Sequence, residues 1–169
     1  SPISVTESRK GIQVTTGPIQ VEFPRHEVHL PGIVSVRQKD GSYFRVTGED
    51  SGSTAVIVDG GGTRFRSGKP DVVSLEESGP ERVCVRVELT HGNRSKSLFR
   101  SVFRFHLFRG NPDIRVLHTF ENDRVEEEFA SIREFSLHAA FDLGEDPTGK
   151  IGGTGVDLRK GASVLQRQD

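Results

Sequence analysis

The chain has 169 residues, 33% of them hydrophobic and 28% charged, with 23 Lys and Arg set against 24 Asp and Glu for a formal charge of -1. That length suits one domain with a core of its own, the composition is not that of a disordered chain, and a balanced charge without long single-sign blocks speaks against nucleic acid as a partner. Cys84 is the only cysteine, which excludes an internal disulfide or a thiolate zinc cluster and reads as a buried structural thiol.

No apolar run approaches the ~20 residues that span a bilayer, so no membrane partner is expected. There is no signal-peptide pattern either. The chain starts Ser1-Pro2 and contains no Met, which points to a piece excised from a longer protein.

In chain order, Ile12 and Val14, then Ile19, Val21 and Phe23, alternate with polar residues between Gly11, Gly17 and Pro18, and predict two short opening strands. Ile33 to Val46 reads as a hairpin. Parity decides its loop: a three-residue Lys39-Asp40-Gly41 connection with Gly41 left-handed sets Val36 opposite Phe44 and Val34 opposite Val46, keeping apolar against apolar. Ala55 to Val58, Thr63 to Arg66 and Val72 to Glu76 are further strands, separated by the glycine-rich turn Gly60-Gly61-Gly62 and by Ser67-Gly68-Lys69-Pro70.

The strongest signals follow. Val83, Val85, Val87 and Leu89 point one way and Arg82, Cys84, Arg86 and Glu88 the other, before a polar loop from His91 to Ser97. With Gly110-Asn111-Pro112-Asp113 as a connection, Arg109 is expected opposite Ile114, Leu107 opposite Val116, Phe105 opposite His118 and Phe103 opposite Phe120, giving a ribbon with one almost wholly apolar face. A last strand alternates Phe135, Leu137, Ala139, Phe141 and Leu143 and is expected to close onto the same core. Val125 to Phe129 is too short for an independent helix and reads as a loop. The fold class is therefore all-β, an antiparallel β-barrel or sandwich with little or no helix. Residues 1–143 form the domain, and the Gly-rich stretch 144–169 is a linker or a set of partial strands that pair outside the chain.

Candidate chemistry is sparse. Of the six histidines, none has metal-ligand spacing; His26 and His29 read as two solvated loop residues, so no metal and no cofactor is expected. His118 lies on the apolar face and reads as a hydrogen-bonded core or edge histidine. The outward face of the main hairpin gathers Arg104, His106 and Arg115, with His106 diagonal to Arg115, a set able to hold a uronate carboxylate through guanidinium donors. The plainer reading is a sheet face covered by long side chains. No P-loop, dinucleotide fingerprint or Gly-x-Ser-x-Gly elbow is present, and the acidic run 126–128 reads as a wet loop. Asn93-Arg94-Ser95 fits a glycosylation acceptor.

Three segments, Gly17-Pro18-Ile19-Gln20-Val21-Glu22-Phe23, Glu76-Glu77-Ser78-Gly79-Pro80-Glu81-Arg82 and Arg109-Gly110-Asn111-Pro112-Asp113-Ile114-Arg115-Val116-Leu117-His118-Thr119-Phe120, resemble the N-terminal β-domain of exo-rhamnogalacturonan-lyase-like proteins over about residues 11–143. The resemblance implies a RIFT-type barrel preceding larger domains of the same chain. It also implies a secreted or periplasmic protein acting on acidic polysaccharide, with catalytic residues mainly beyond this segment and none carried over here.

Chemistry agrees that a whole lyase site is not expected. β-Elimination from a uronate needs a carboxylate neutraliser, a base and an acid, and the only tyrosine, Tyr43, faces away from Val36 and Phe44 with no histidine beside it. Two other readings stay open. A free-standing carbohydrate-binding module would use exposed Phe99 or Phe108, and a mutarotase or epimerase fragment would use His106 or His138 with Glu134.

Overall fold

The computed structural model describes residues 2–48, 55–94, 96–122, 130–145, 147–151 and 154–157. Among them there is no helix, and every strand pairing is antiparallel. The first layer is a five-stranded sheet in chain order: β1 (Ser4–Glu7), β2 (Gly11–Thr15), β3 (Ile19–Pro24), β4 (Ile33–Arg37) and β5 (Tyr43–Arg45). Its strands follow from period-two alternation, which sends Ile12, Val14, Ile19, Val21, Phe23 and Val34 into the core.

The second layer comprises β6 (Ala55–Asp59), β7 (Arg64–Ser67), β8 (Val72–Ser78), β9 (Arg82–Gly92), β10 (Ser97–Phe108), β11 (Ile114–Glu121) and β12 (Ile132–Leu137), in the order β11-β10-β9-β7-β6-β12, with β8 also on β9. β9 thus divides one edge, its first part pairing β8 and its end pairing β7. β13 (Thr148–Ile151) and β14 (Thr154–Asp157) form a separate two-stranded ribbon. The two large sheets share one core, in which the Phe105 ring lies 5.0 Å from that of Phe23 on the facing sheet. The architecture is a β-sandwich.

Parity is a reliable guide where turn chemistry is local. The first hairpin pairs Val36 with Phe44, Val46 donates to the Val34 carbonyl at 2.9 Å, and Gly41 has φ +88°. The Gly60–Gly62 turn has the same plan: Gly62 at φ +83°, with Asp59 Oδ1 accepting from Thr63 N at 2.8 Å.

The main hairpin differs by two residues. Leu107, not Arg109, pairs with Ile114, and Phe105 pairs with Val116, Phe103 with His118 and Ser101 with Phe120. The turn starts early because Arg109 and Gly110 spend their amides elsewhere, on Glu81 O at 2.9 Å and Thr16 O at 2.8 Å. A shift of two keeps every residue on its expected face. That face is apolar as expected, but on β11 it is not fully covered, with Val116 42% exposed.

Other expectations need correction. The opening has three strands, since polar β1 runs along the outer edge. His91 and Gly92 belong to β9 rather than to a loop, and His91 is fully buried because Ser101 Oγ, 2.7 Å away, satisfies its Nε2. The last strand ends at Leu137; Phe141 makes only an isolated bridge to Thr47, and Leu137, Phe141 and Leu143 stay exposed, so Phe135 alone of that row packs on the core. β13 and β14 pair with each other. His29 is buried, its Nε2 3.3 Å from Glu27 Oε1, whereas His26 is exposed. Val125 to Phe129 and Ser95 lie outside the described residues.

Candidate functional site

Alternation on β9, β10 and β11 sets one row of side chains outward on the second sheet. Arg104 and His106 come from β10 and Arg115 from β11, and the register places His106 directly opposite Arg115 on one side and Cys84 of β9 on the other. The three sequence candidates therefore share one face, with the pair His106 and Arg115 closer than the diagonal expected.

Their surroundings were not legible in advance. β8 carries a bulge between Leu75 and Glu77, an extra residue that re-aims its neighbours and brings both Glu76 and Glu77 to this face. Glu76 takes a two-pronged contact from Arg104, Nε to Oε2 at 2.6 Å and Nη2 to Oε1 at 3.0 Å. Glu77 takes the same from Arg82, at 3.0 and 2.6 Å. Farther along, Arg86 meets Glu88 at 3.0 Å, and Arg100 meets both Glu88 at 3.4 Å and Glu121 at 2.5 Å. Under these long arms Val102 and Cys84 are buried at 1% and 2% exposure, although both point away from the sandwich core.

The ion pairs hold Glu76 and Glu77 below the usual carboxylate range, in each case chiefly through the arginine hydrogen bond. Cys84 is pushed up to about 11 by burial first and then by its hydrogen bond to Glu76, with Sγ 3.5 Å from Oε2. His106 is held below its ordinary value by burial, then by the Arg82 and Arg115 cations, against the opposing pull of Glu77 and Glu76. Arg115 is exposed and has no ion pair among the described residues.

A protonated, covered thiol is a poor nucleophile. Labelling of Cys84 by a thiol reagent at pH 8 is expected to run about two orders of magnitude slower in the folded chain than in urea, from the thiolate fraction alone. Fast labelling of the folded chain would mean that the arginine arms do not cover this face.

The remaining candidates separate. Arg104 has its fork on Glu76 and serves the wall of the face. Tyr43 belongs to the other sheet, where its hydroxyl donates to Gly17 O at 2.8 Å, so it does not join His106 and Arg115. Phe99 is 4% exposed and unavailable as a sugar platform, while Phe108 is half-buried. His138 is exposed with its Nε2 3.2 Å from Ser136 Oγ, and the carboxylates that act on His106 are Glu77 and Glu76 rather than Glu134. Among the described residues no three His, Cys, Asp or Glu side chains are grouped to hold a metal ion.

A second polar group was missed altogether. Ser101, fully buried, has its hydroxyl between His91 Nε2 at 2.7 Å and His118 Nε2 at 2.9 Å. The signal was available in part: the β9–β10 ladder that puts Cys84 beside His106 also brings His91 to Ser101 once His91 is read as strand.

Comparison with known proteins gives one family. The model described as the PcRGLX-like protein central beta sandwich domain matches residues 3–147, while no curated protein matches the chain. The description has a central β-sandwich where the resemblance implied an N-terminal RIFT-type barrel.

Proposed function

The chain belongs to the PcRGLX-like family as its central β-sandwich domain, and from that premise we propose that it is a non-catalytic part of a secreted or periplasmic protein acting on uronate-containing polysaccharide. In this reading the sandwich packs beside other domains of its own chain, and its outward face contributes a wall to the polymer's path. His106 and Arg115 touch the carboxylate, with the Arg104–Glu76 pair holding the neighbouring surface in place.

The observation that carries it is Arg115: next to Arg82, Arg86, Arg100 and Arg104, which meet carboxylates, its exposed guanidinium has no ion pair among the described residues and lies across from His106, whose charged form is disfavoured by burial and by the Arg82 and Arg115 cations. A uronate would supply the missing partner. The separation of Tyr43 from this face supports assigning the bond-breaking step to another domain.

Two measurements test the reading. Unsaturated-product absorbance on rhamnogalacturonan is expected from the longest natural gene product and not from the 169-residue chain; product from the short chain would overturn the non-catalytic assignment. Chemical-shift titration with uronate oligosaccharides is expected to move His106 and Arg115, and Arg115→Ala to weaken binding about fivefold, the worth of one exposed ion pair. Equal binding by the variant would remove Arg115 from the site.

A further inference from the structure

We propose that the His91–Ser101–His118 chain is an acid-released latch that holds β12 against β11. These two strands are the ends of the seven-strand order and share no ladder. What joins them is ring packing: Phe135 of β12 lies 4.9 Å from the His118 ring at an interplanar angle of 7°, and 5.5 Å from Phe120. Phe103 stacks on His118 at 4.4 Å and 16°. The imidazole of His118 is thus the middle of a three-ring stack, and it is oriented by its bond to Ser101.

Proton counting makes that bond conditional. A serine hydroxyl has one proton to give. With both imidazoles neutral, Ser101 donates to one Nε2 and accepts from the other, and the chain closes. With both charged, two Nε2–H donors converge on one oxygen, the hydroxyl proton loses its acceptor, and two cations share a dry interior. The site has little to answer a charge: His91 is fully buried, its Nδ1 lacks a well-formed hydrogen bond, and only the Ala55 backbone favours its charged form, outweighed by burial and by His118.

The inward neighbours from the packed strands, Ala55, Ile57, Phe65, Ser67, Leu89 and Phe120, are uncharged. The charged groups of the same strands stand outward: Arg64 and Arg66 on β7, Arg86 and Glu88 on β9, Arg100, Arg104 and His106 on β10, Arg115 and Glu121 on β11, and Glu134 on β12. Asp59 ends β6 in its own turn, Arg133 is exposed beside the β12 irregularity, His138 follows β12, and Lys96 lies 5.5 Å over the Phe65 ring.

Burial lowers His118, and His91 is pushed down to about 4 by burial and then by His118. Histidines depressed in the folded state stabilise it fully above their unfolded value near ~6.5 and lose that contribution as pH falls toward the folded values. Half-buried His118 is positioned to take the first proton, which leaves the chain closed with Ser101 accepting from His118 and donating to His91; the second proton, on His91, opens it.

The test is amide hydrogen exchange on the whole chain at pH 7.5 and 3.5, on either side of the His91 value, read as protection factors. Protection of Ile132–Leu137 is expected to fall at least tenfold more than that of β2 and β3, and His118→Phe, which keeps the stack without titrating, is expected to abolish the difference. Parallel change in both regions, or an unaltered difference in the variant, overturns the latch. Should His118→Phe not fold, the wild-type His91 ring shifts decide: a titration midpoint coinciding with the loss of β12 protection supports the latch, and separate midpoints sink it.

Discussion

Phe105→Ala is expected to lower the unfolding free energy by about 3–5 kcal/mol, the range for deleting a buried aromatic. Phe105 is fully buried and packs on Phe23 across the two sheets at 5.0 Å and near Phe103 along its own strand at 6.1 Å. Removing the ring leaves a hole between two β-layers whose backbones are fixed by ladders on both sides, so collapse is limited and the cost belongs at the upper end. Domains of this kind have about 5–15 kcal/mol to lose. A urea titration checks it, with the midpoint expected to fall by about 1–2 M at an unchanged slope. A loss under about 1 kcal/mol would mean that the sheets do not meet at this ring.

Gly32→Ala is expected to cost about 3 kcal/mol or more, for two reasons that add. The residue has φ +115°, where side chains are strained, and an added methyl carbon would lie 2.7 Å from Val21 Cγ1 and 3.1 Å from Glu22 O. Val21 is fully buried and cannot swing aside. Gly62→Ala is the control, since its φ is +83° but a methyl there meets nothing within 4 Å; it is expected to cost only about 1 kcal/mol. Equal midpoints for the two variants in thermal melts would show that Val21 does give way.

Face assignment was legible wherever period-two alternation met a local turn, as in the hairpin through Gly41 and along β9. Long-range partners were not. The register of the main hairpin depended on Glu81 and Thr16 carbonyls far away in sequence, and no local rule names them. The bulge that brings Glu76 to Arg104 adds one residue without any marker such as Gly, so two of the site's carboxylates were invisible while its arginines and histidine were found. Phe99 shows the same limit: it sits at the β9–β10 irregularity with φ +62°, a conformation unusual for a bulky residue, and there it reaches Phe120 at 4.6 Å instead of solvent. The alternation of Phe141 and Leu143 continues past the last ladder, because hydrophobic pattern records a preference for cover and not the presence of a covering strand.

The paired charges on the outward face also bear on how fast anything can find it. Opposite charges a few ångströms apart cancel at a distance, and beyond the Debye length of about 8 Å little field remains. The ion-paired part of the face therefore steers a charged solute only weakly, and encounter there is expected near the ordinary, weakly salt-dependent rate of an unsteered collision. Whatever discrimination this face exercises is made after contact, in how long the visitor stays.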